Sequence, residues 1–547
     1  MEIGLDDRIP TYSGGLGILA GDLAFSFADL GLPATFVTLL SRKGYNLQKL
    51  DGGAGQVDAP QPWDYTTLLS PTEARVEVEI GRAAQRVGAW EYKIHGKSDT
   101  SVLFLDTDFP ENEKTVRDAT ERLYGGEIRD RLVQDIILGI GGYRVLKALG
   151  RNADTYHLNE SHAAFATVEL LKDTGGAEAT RKRCVFTTHT PIAAGNDVFP
   201  LAMVEEAFAE YTSMNWARES IDGSITLSKL AAKYSGVTNS VSLRHRFVSE
   251  ALLSRDSITY VTNGVYHKRW VHNELKRLYD KHIPGWQDSP SLLIDALGIP
   301  GEDLAEAHRG VKKALVAMVN ERVGTHFDEG VLTITVAKRV TSYKRNGMIL
   351  SDPERLRRIA SERGDIQLIV AGRAHPRDAV AKGMLVDIIH KADQLNRGSQ
   401  NVRVAILENY DIETAKLLVS GSDVWLNNPK RPLEACGTSG MKAAMNGVLN
   451  LSVYDGWWLE GGVEGINGWG VGKRADWTDI GGSLEGEDEN ALYSKLEDAV
   501  LPLYYRDRQK WTEMSKASIA TVGPLFNSYR MVEDYVTRVY SRASAMA

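Results

Sequence analysis

Between Leu332 and Val453 the chain alternates short apolar runs with longer amphipathic stretches, and few folds accommodate that rhythm. The runs Leu332–Ala337, Ile366–Ala371, Val402–Leu407, Val424–Leu426 and Val448–Val453 are predicted strands, with helical segments between them. Parallel strands need long crossovers, and helices covering both faces let every strand be apolar throughout. The expectation is therefore α/β, with a parallel, doubly wound sheet whose ligands bind beyond the carboxyl ends of the strands.

The N-terminal half reads differently. After Tyr12-Ser13-Gly14-Gly15-Leu16-Gly17, the residues Leu16, Leu19, Leu23, Phe27 and Leu30 recur at spacings of three and four, predicting a helix with one apolar face that stops at Gly31 and Pro33. Ala34–Leu40 reads as a strand. Val76, Val78 and Ile80, then Trp90, Tyr92 and Ile94, alternate with polar residues as half-exposed antiparallel strands do. Ser101–Leu105, Tyr156–Leu158 and Cys184–Thr187 are further strands, and a long helix is predicted from Glu127 to Leu149. The charged helical stretch from Asp280 to Val323, broken by Pro284, Pro290 and Pro300, reads as a connection between domains.

Composition narrows the function classes. With 43% hydrophobic and 25% charged residues the chain is not a disordered one. Its 547 residues predict three or four domains, or two large ones. A net charge of −8 argues against general nucleic-acid binding. Only Cys184 and Cys436 are present, too few for a disulfide framework, and no apolar run is long enough to span a membrane. Without a signal-peptide pattern at the N-terminus, a cytoplasmic location is expected.

Three constellations carry chemistry. Lys338, Arg339, Lys344 and Arg345 could form a solvated charged turn, but they follow directly on a strand, where cations face the ligand crevice and can hold phosphate. Ser13-Gly14-Gly15-Leu16-Gly17 opens a helix, whose free N–H groups favour an anion; taken alone it reads first as a tight turn into a core helix. Arg431 to Lys442 is a Gly-rich turn before a short helix, Met441 to Asn446, with Lys442 among apolar neighbours. Desolvation disfavours its charged form, and a neutral amine can form a Schiff base with an aldehyde. Read by itself, Lys442 is a surface lysine on an amphipathic helix, as most lysines are. Polar sets at His157–Glu160, Thr187–Pro191, Thr262–Gly264 and Glu408–Tyr410 suit hydroxyl-rich ligands, and Trp457 and Trp458 suit either a sugar face or the core.

In this order, Ser-Gly-Gly-Leu-Gly at 13–17, Thr-His-Thr-Pro at 188–191, Thr-Asn-Gly at 262–264, the Lys-Arg and Tyr-Lys-Arg pairs at 338–345, Glu-Asn-Tyr at 408–410 and Glu-Ala-x-Gly-Thr-x-x-Met-Lys at 434–442 resemble the α-glucan phosphorylases. The resemblance implies a GT-B fold, two Rossmann-like doubly wound domains facing a central cleft, here 1–268 and 269–547. It implies pyridoxal 5'-phosphate on Lys442, no metal, and a phosphate of the cofactor that works beside the substrate phosphate as acid and base. Lys338, Lys344, Thr438 and Ser439 match positions holding the cofactor phosphate, with Tyr410 and Gly15 also beside the cofactor. Arg339, Lys344, Gly14 and Gly15 match the substrate-phosphate site. His189, Asn263, Glu434, Cys436 and Gly437 match the glucosyl pocket. Arg339, Lys344 and His189 are then the catalytic set.

The implied reaction is retaining phosphorolysis of glycogen, starch or maltodextrin to glucose 1-phosphate, by a homodimer without membrane or nucleic-acid partners. Cys436 stands where relatives often carry Ser. Ser161, Asn196, the pair Asn239-Ser240 and the run Tyr266-His267-Lys268 also depart from the common pattern and bear on acceptor preference. The start near the Gly-rich loop leads to the expectation of no control by phosphorylation or AMP at an N-terminal segment. Three other readings use some of these residues: a retaining glucosyltransferase fed by a nucleotide sugar, a glucan-binding relative without activity, and a hydrolase with Glu434 and Asp455 as paired carboxylates.

Overall fold

The computed structural model of the chain describes residues 1–192, 195–209, 211, 214–482 and 485–545. Met1–Tyr45, Pro60–Thr262 and Met531–Ala547 form one compact unit; Asn46–Ala59 and Asn263–Arg530 form a second. The segment Asn46–Ala59 thus belongs with the C-terminal half and the last segment with the N-terminal half, exchanges that a division at residue 268 does not contain.

The first unit holds two four-stranded sheets. One runs in the order Thr35–Leu39, Thr100–Asp106, Ala83–Ile94, Ser70–Ile80, and only its first pair is parallel. This mixed sheet departs from the doubly wound expectation. Glu77 and Glu79 alternate with the apolar residues of an outer strand, which a parallel sheet covered on both faces would not accept. The other sheet is parallel throughout, in the order Thr259–Tyr260, Val237–Ser240, Cys184–Thr187, Tyr156–Asn159.

The helix Gly15–Leu30 buries two faces rather than the single one expected. Ala20, Ala24 and Ala28 pack with Ile94, Val102 and Phe104 of the mixed sheet. Leu19, Leu23 and Phe27 pack with Val185 and Val237 of the parallel one and with Val261 just after its edge strand. The predicted helix 127–149 is continuous from Ile128 to Ala148, with a π-helical turn at Ile137–Gly141.

The second unit is the doubly wound sheet. Its six parallel strands lie in the order Val402–Leu407, Ile366–Ala371, Leu332–Ala337, Val424–Asn427, Leu449–Val453, Gly468–Val471. Numbered along the chain this is 3-2-1-4-5-6, the order whose crevice lies at the reversal beside the first strand. Every residue of Leu332–Ala337 and Ile366–Ala371 is buried.

The stretch expected to connect domains is part of this unit. Helix Gly301–Val323 buries Val311, Leu315 and Val319, and its Lys312, 3% exposed, donates to Asp423 at 2.5 Å and to the Val331 carbonyl at 2.7 Å. A lysine so buried persists because its charge is matched and its protons are bonded. Lys312 and His308 hold the Asp423 carboxylate at about 2, against a burial that would raise it. Among the described residues no helix is long and apolar enough to cross a membrane.

Candidate active site

Lys338, Tyr410, Glu434 and Asp455 all follow the carboxyl ends of parallel strands in the second unit, so the topology brings them to one edge of the sheet. Lys338 is 8% exposed. Its backbone N–H donates to the Ala371 carbonyl at 3.1 Å, and its carbonyl accepts from Asn346 Nδ2 at 3.2 Å. The Lys338 ammonium donates to Asn428 Oδ1 at 2.5 Å and lies 3.5 Å from Asn427 Oδ1. Burial, and then the nearby charge of Lys344, push the Lys338 amine well below the ordinary lysine range, while Glu434 pulls the other way. A buried lysine that meets two amide oxygens, with a second lysine beside it, is a place where an anion is stabilised.

Lys344 closes the short 3-10 turn Ser342–Lys344. Its ammonium forms an ion pair with the Glu434 carboxylate, the two side chains being 14% and 6% exposed. Burial alone would lower the Lys344 pKa, but Glu434 outweighs it and the ammonium is favoured. The next residue pins the turn: Arg345 donates to the carbonyls of Asn428 at 2.9 Å and Pro429 at 2.7 Å, and to Asp488 at 2.7 Å. Arg339 is exposed, and its charge is felt at Lys344.

Lys442 is buried, not on the surface, in the helix Ser439–Ala444. Its Nζ sits 3.5 Å from the ring centroid of Trp270, itself 1% exposed. Asn446 fixes that arrangement by donating to the carbonyls of Trp270 at 2.9 Å and Lys442 at 2.8 Å. Thr438 precedes the helix, and Ser439 Oγ accepts from Trp425 Nε1 at 3.0 Å, which orients the hydroxyl beside the Ser439 backbone. Cys436 is buried with its thiol pushed well up, first by burial, and its sulfur faces the Asn263 N–H. Asn263 Oδ1 is buried with no hydrogen-bond partner among the described residues, an acceptor that a ligand hydroxyl would satisfy. Tyr410 has its phenol pushed up by burial.

Several expected ligand groups serve the fold instead. Glu408 Oε1 accepts from the Leu50 N–H at 2.6 Å and Asn409 Oδ1 from the Gln48 N–H at 2.6 Å, so both anchor the hairpin Leu47–Ala59. Trp457 and Trp458 are each 1% exposed and belong to the core. Asp455 Oδ2 accepts from the Glu434 N–H at 3.0 Å and Oδ1 from the Gly456 N–H at 3.0 Å. Asp455 is thus engaged by backbone N–H groups and Glu434 by Lys344.

In the first unit, Tyr540, His157, Thr187 and Asn239 form one hydrogen-bonded chain, its Thr187 and Asn239 end buried. The Tyr540 hydroxyl donates to His157 Nδ1 at 2.9 Å, Nε2 donates to Thr187 Oγ1 at 2.6 Å, and Thr187 donates to Asn239 Oδ1 at 2.8 Å. Glu160 Oε2 accepts from the His189 N–H at 2.8 Å and from Thr190 Oγ1 at 2.9 Å. His189 is half-buried, Nε2 donates to Asn159 Oδ1 at 2.7 Å, and burial, with His245, His157 and His162 nearby, lowers its pKa to about 3. The ring is therefore neutral at physiological pH. The Gly14 N–H donates to Glu2 Oε2 at 3.2 Å, as Ser13 does at 2.6 Å, while Gly15 is exposed at the start of its helix. A Cβ at Gly14 or Gly15 would meet nothing within 4 Å, so packing does not demand these glycines.

Trp270, Asn427, Asn428 and the Arg345–Asp488 pair escape sequence reasoning, because each acts through a contact with a distant segment. Gly372 is another such residue: at φ +150° a Cβ there would stand 2.0 Å from the Lys338 carbonyl. Gly372→Ala is expected to push Lys338 off its asparagines and destabilise the chain by about 2 kcal/mol or more. Denaturation midpoints and phosphate affinity check this together.

A model of the carbohydrate phosphorylase family matches residues 201–462. The chain is 38% identical to the maltodextrin phosphorylase of Thermococcus litoralis, over 100% of this chain and 70% of that protein. It is 36% identical to the glycogen phosphorylase of Aquifex aeolicus, over 99% and 85%. It is also 36% identical to the glycogen phosphorylase of Mycobacterium tuberculosis, over 100% and 70%.

Proposed function

The chain belongs to the carbohydrate phosphorylase family, and on that premise we propose that it moves terminal α-1,4-linked glucosyl units of a glycogen- or maltodextrin-type glucan onto phosphate, releasing α-glucose 1-phosphate with retention. The observation that carries this reading is the anion-ready edge of the second unit: Lys338 held by amides, Lys344 beside it, and a buried Lys442.

The donor set fits pyridoxal phosphate. Lys442, buried against Trp270, would tether the aldehyde; Lys338, Lys344, Thr438 and the Ser439 N–H would hold the phosphate; Tyr410 and Gly15 would lie beside the cofactor. When bound, the cofactor supplies a fixed phosphate that gives and takes a proton at the incoming one. Arg339, Lys344 and the Gly14-Gly15 backbone would bind inorganic phosphate. His189, Asn263, Glu434, Cys436 and Gly437 would hold the glucosyl unit, the neutral His189 ring suiting a hydroxyl partner.

Fixed cations are needed because two phosphates about 5 Å apart repel by roughly 3 kcal/mol per pair of unit charges at an effective dielectric of about 20. Cations held in place before the reaction stabilise that charge without reorganising during it. Burial of Lys338 has its own consequence. An anion at Lys338 favours the ammonium, so cofactor binding takes up a proton, and affinity falls as pH rises through the depressed Lys338 pKa. Calorimetry of cofactor binding in buffers of different ionisation heat should show this uptake in the wild-type chain and less of it in Lys338→Met.

The test is incubation with maltodextrin, phosphate and pyridoxal phosphate, with glucose 1-phosphate as readout. Product that vanishes when any one component is omitted supports the reading. Glucosyl transfer from a nucleotide sugar without the cofactor would replace it with the transferase alternative.

A further inference from the structure

We propose that Glu434 is a counter-ion that makes anion binding at Lys344 depend on an occupied glucosyl subsite. The proposal rests on the phosphorylase reading above and adds to it a coupling between the two substrates.

Lys338 and Lys344 stand at the same edge of the sheet but are provided for differently. The Lys338 ammonium meets amide oxygens of Asn428 and Asn427. The Lys344 ammonium meets a carboxylate, that of Glu434, and both members of the pair are largely removed from water. Each partner is anchored through its main chain. Arg345 ties the Lys344 turn to Asn428, Pro429 and Asp488, and the Glu434 N–H is bonded to Asp455. Gly437 leaves the Glu434 side chain room: a Cβ there would stand only 3.2 Å from its Cγ and Cδ. Opening of the pair, in this proposal, is a rotation of the Glu434 side chain over Gly437 with both backbones held.

A phosphate arriving at Lys344 meets this carboxylate as competitor and as like charge. An ionised carboxylate only accepts hydrogen bonds, and a glucosyl unit supplies neighbouring hydroxyl donors. Once those hydroxyls satisfy Glu434, it is drawn from Lys344 and the ammonium is released to the phosphate. Each substrate then tightens the other by the same factor, as linkage requires. Glu434 acts here as a positioning residue for Lys344, in addition to any contact it makes with sugar.

The test uses the pyridoxal-phosphate-loaded chain, inorganic phosphate, and glucose, which has no glycosidic bond to cleave. In the wild-type chain, saturating glucose should lower the phosphate Kd about tenfold, and saturating phosphate should lower the glucose Kd by the same factor. Glu434→Gln, which keeps shape and removes charge, should bind phosphate about tenfold more tightly without glucose and show a coupling factor near one. Phosphate binding in the wild type with a coupling factor of one, or an unchanged factor in Glu434→Gln, overturns this proposal alone. Absence of phosphate binding in the wild type with or without glucose overturns it together with the phosphorylase reading. The wild-type arm needs no variant, so a poorly folding Glu434→Gln does not leave the question open.

Discussion

Lys344→Ala is expected to reduce kcat/KM for phosphorolysis by about 10³-fold or more, some 4 kcal/mol of transition-state stabilisation, while the chain stays folded. The size follows from position. Lys344 is a buried cation on a turn pinned by Arg345, so its charge is in place before substrate arrives. Lys338 has its own partners in Asn427 and Asn428, and Arg339 is exposed, so neither replaces a buried charge at this point. The fold should survive because the Glu434 carboxylate left behind still lies in the field of Lys338. Steady-state rates with maltodextrin and phosphate, alongside a denaturation curve, read both halves. Near-normal rates in a folded variant would remove Lys344 from the phosphate site.

Lys442→Ala has the larger consequence for the cofactor. The variant should incorporate no pyridoxyl group on borohydride reduction and make no detectable glucose 1-phosphate. The wild-type chain should carry one group, on the peptide containing Lys442. The expectation rests on burial: the Lys442 amine lies against the Trp270 ring in a helix locked by Asn446, and it cannot be exchanged for a surface lysine. The truncation also leaves a cavity among apolar neighbours, costing about 2–4 kcal/mol by analogy with other large-to-small core changes. A denaturation curve therefore separates loss of the tether from loss of the fold. Label recovered on another lysine of the wild-type chain would contradict the assignment.

The C-terminal sheet was legible because its strands are continuous apolar runs, and the cations stood out because they follow those runs directly. What escaped did so for physical reasons. The sixth strand, Gly468–Val471, is half glycine, and packing requires both glycines: a Cβ at Gly468 would lie 2.4 Å from the Asn450 carbonyl, and one at Gly470 1.9 Å from the Tyr454 ring. A strand whose glycines admit its neighbours shows no apolar run of its own. Helix Gly301–Val323 resembled a connector because its charged residues outnumber the apolar stripe that it buries. The mixed sheet was legible strand by strand, but not that Thr100–Asp106 pairs parallel with one neighbour and antiparallel with the other.

In the site, residues on strand ends were readable and their holders were not. Arg345 reaches Asp488 across 143 residues, and Lys338 reaches Asn428 across 90. Such pairings are properties of the folded sheet, without a local signature. Glu408 and Asn409 were misjudged for the same reason. Their acceptors are taken by Leu50 and Gln48, residues about 360 positions earlier, in a hairpin that no periodicity announced.

The most direct test is a crystal structure of the chain grown with pyridoxal phosphate and inorganic phosphate. It should show the cofactor tethered to Lys442 with its phosphate against Lys338, and a second phosphate against Lys344 and Arg339. A Lys442 amine turned into bulk solvent, or a second phosphate bound away from Lys344, would contradict the paired-anion site on which the functional reading depends.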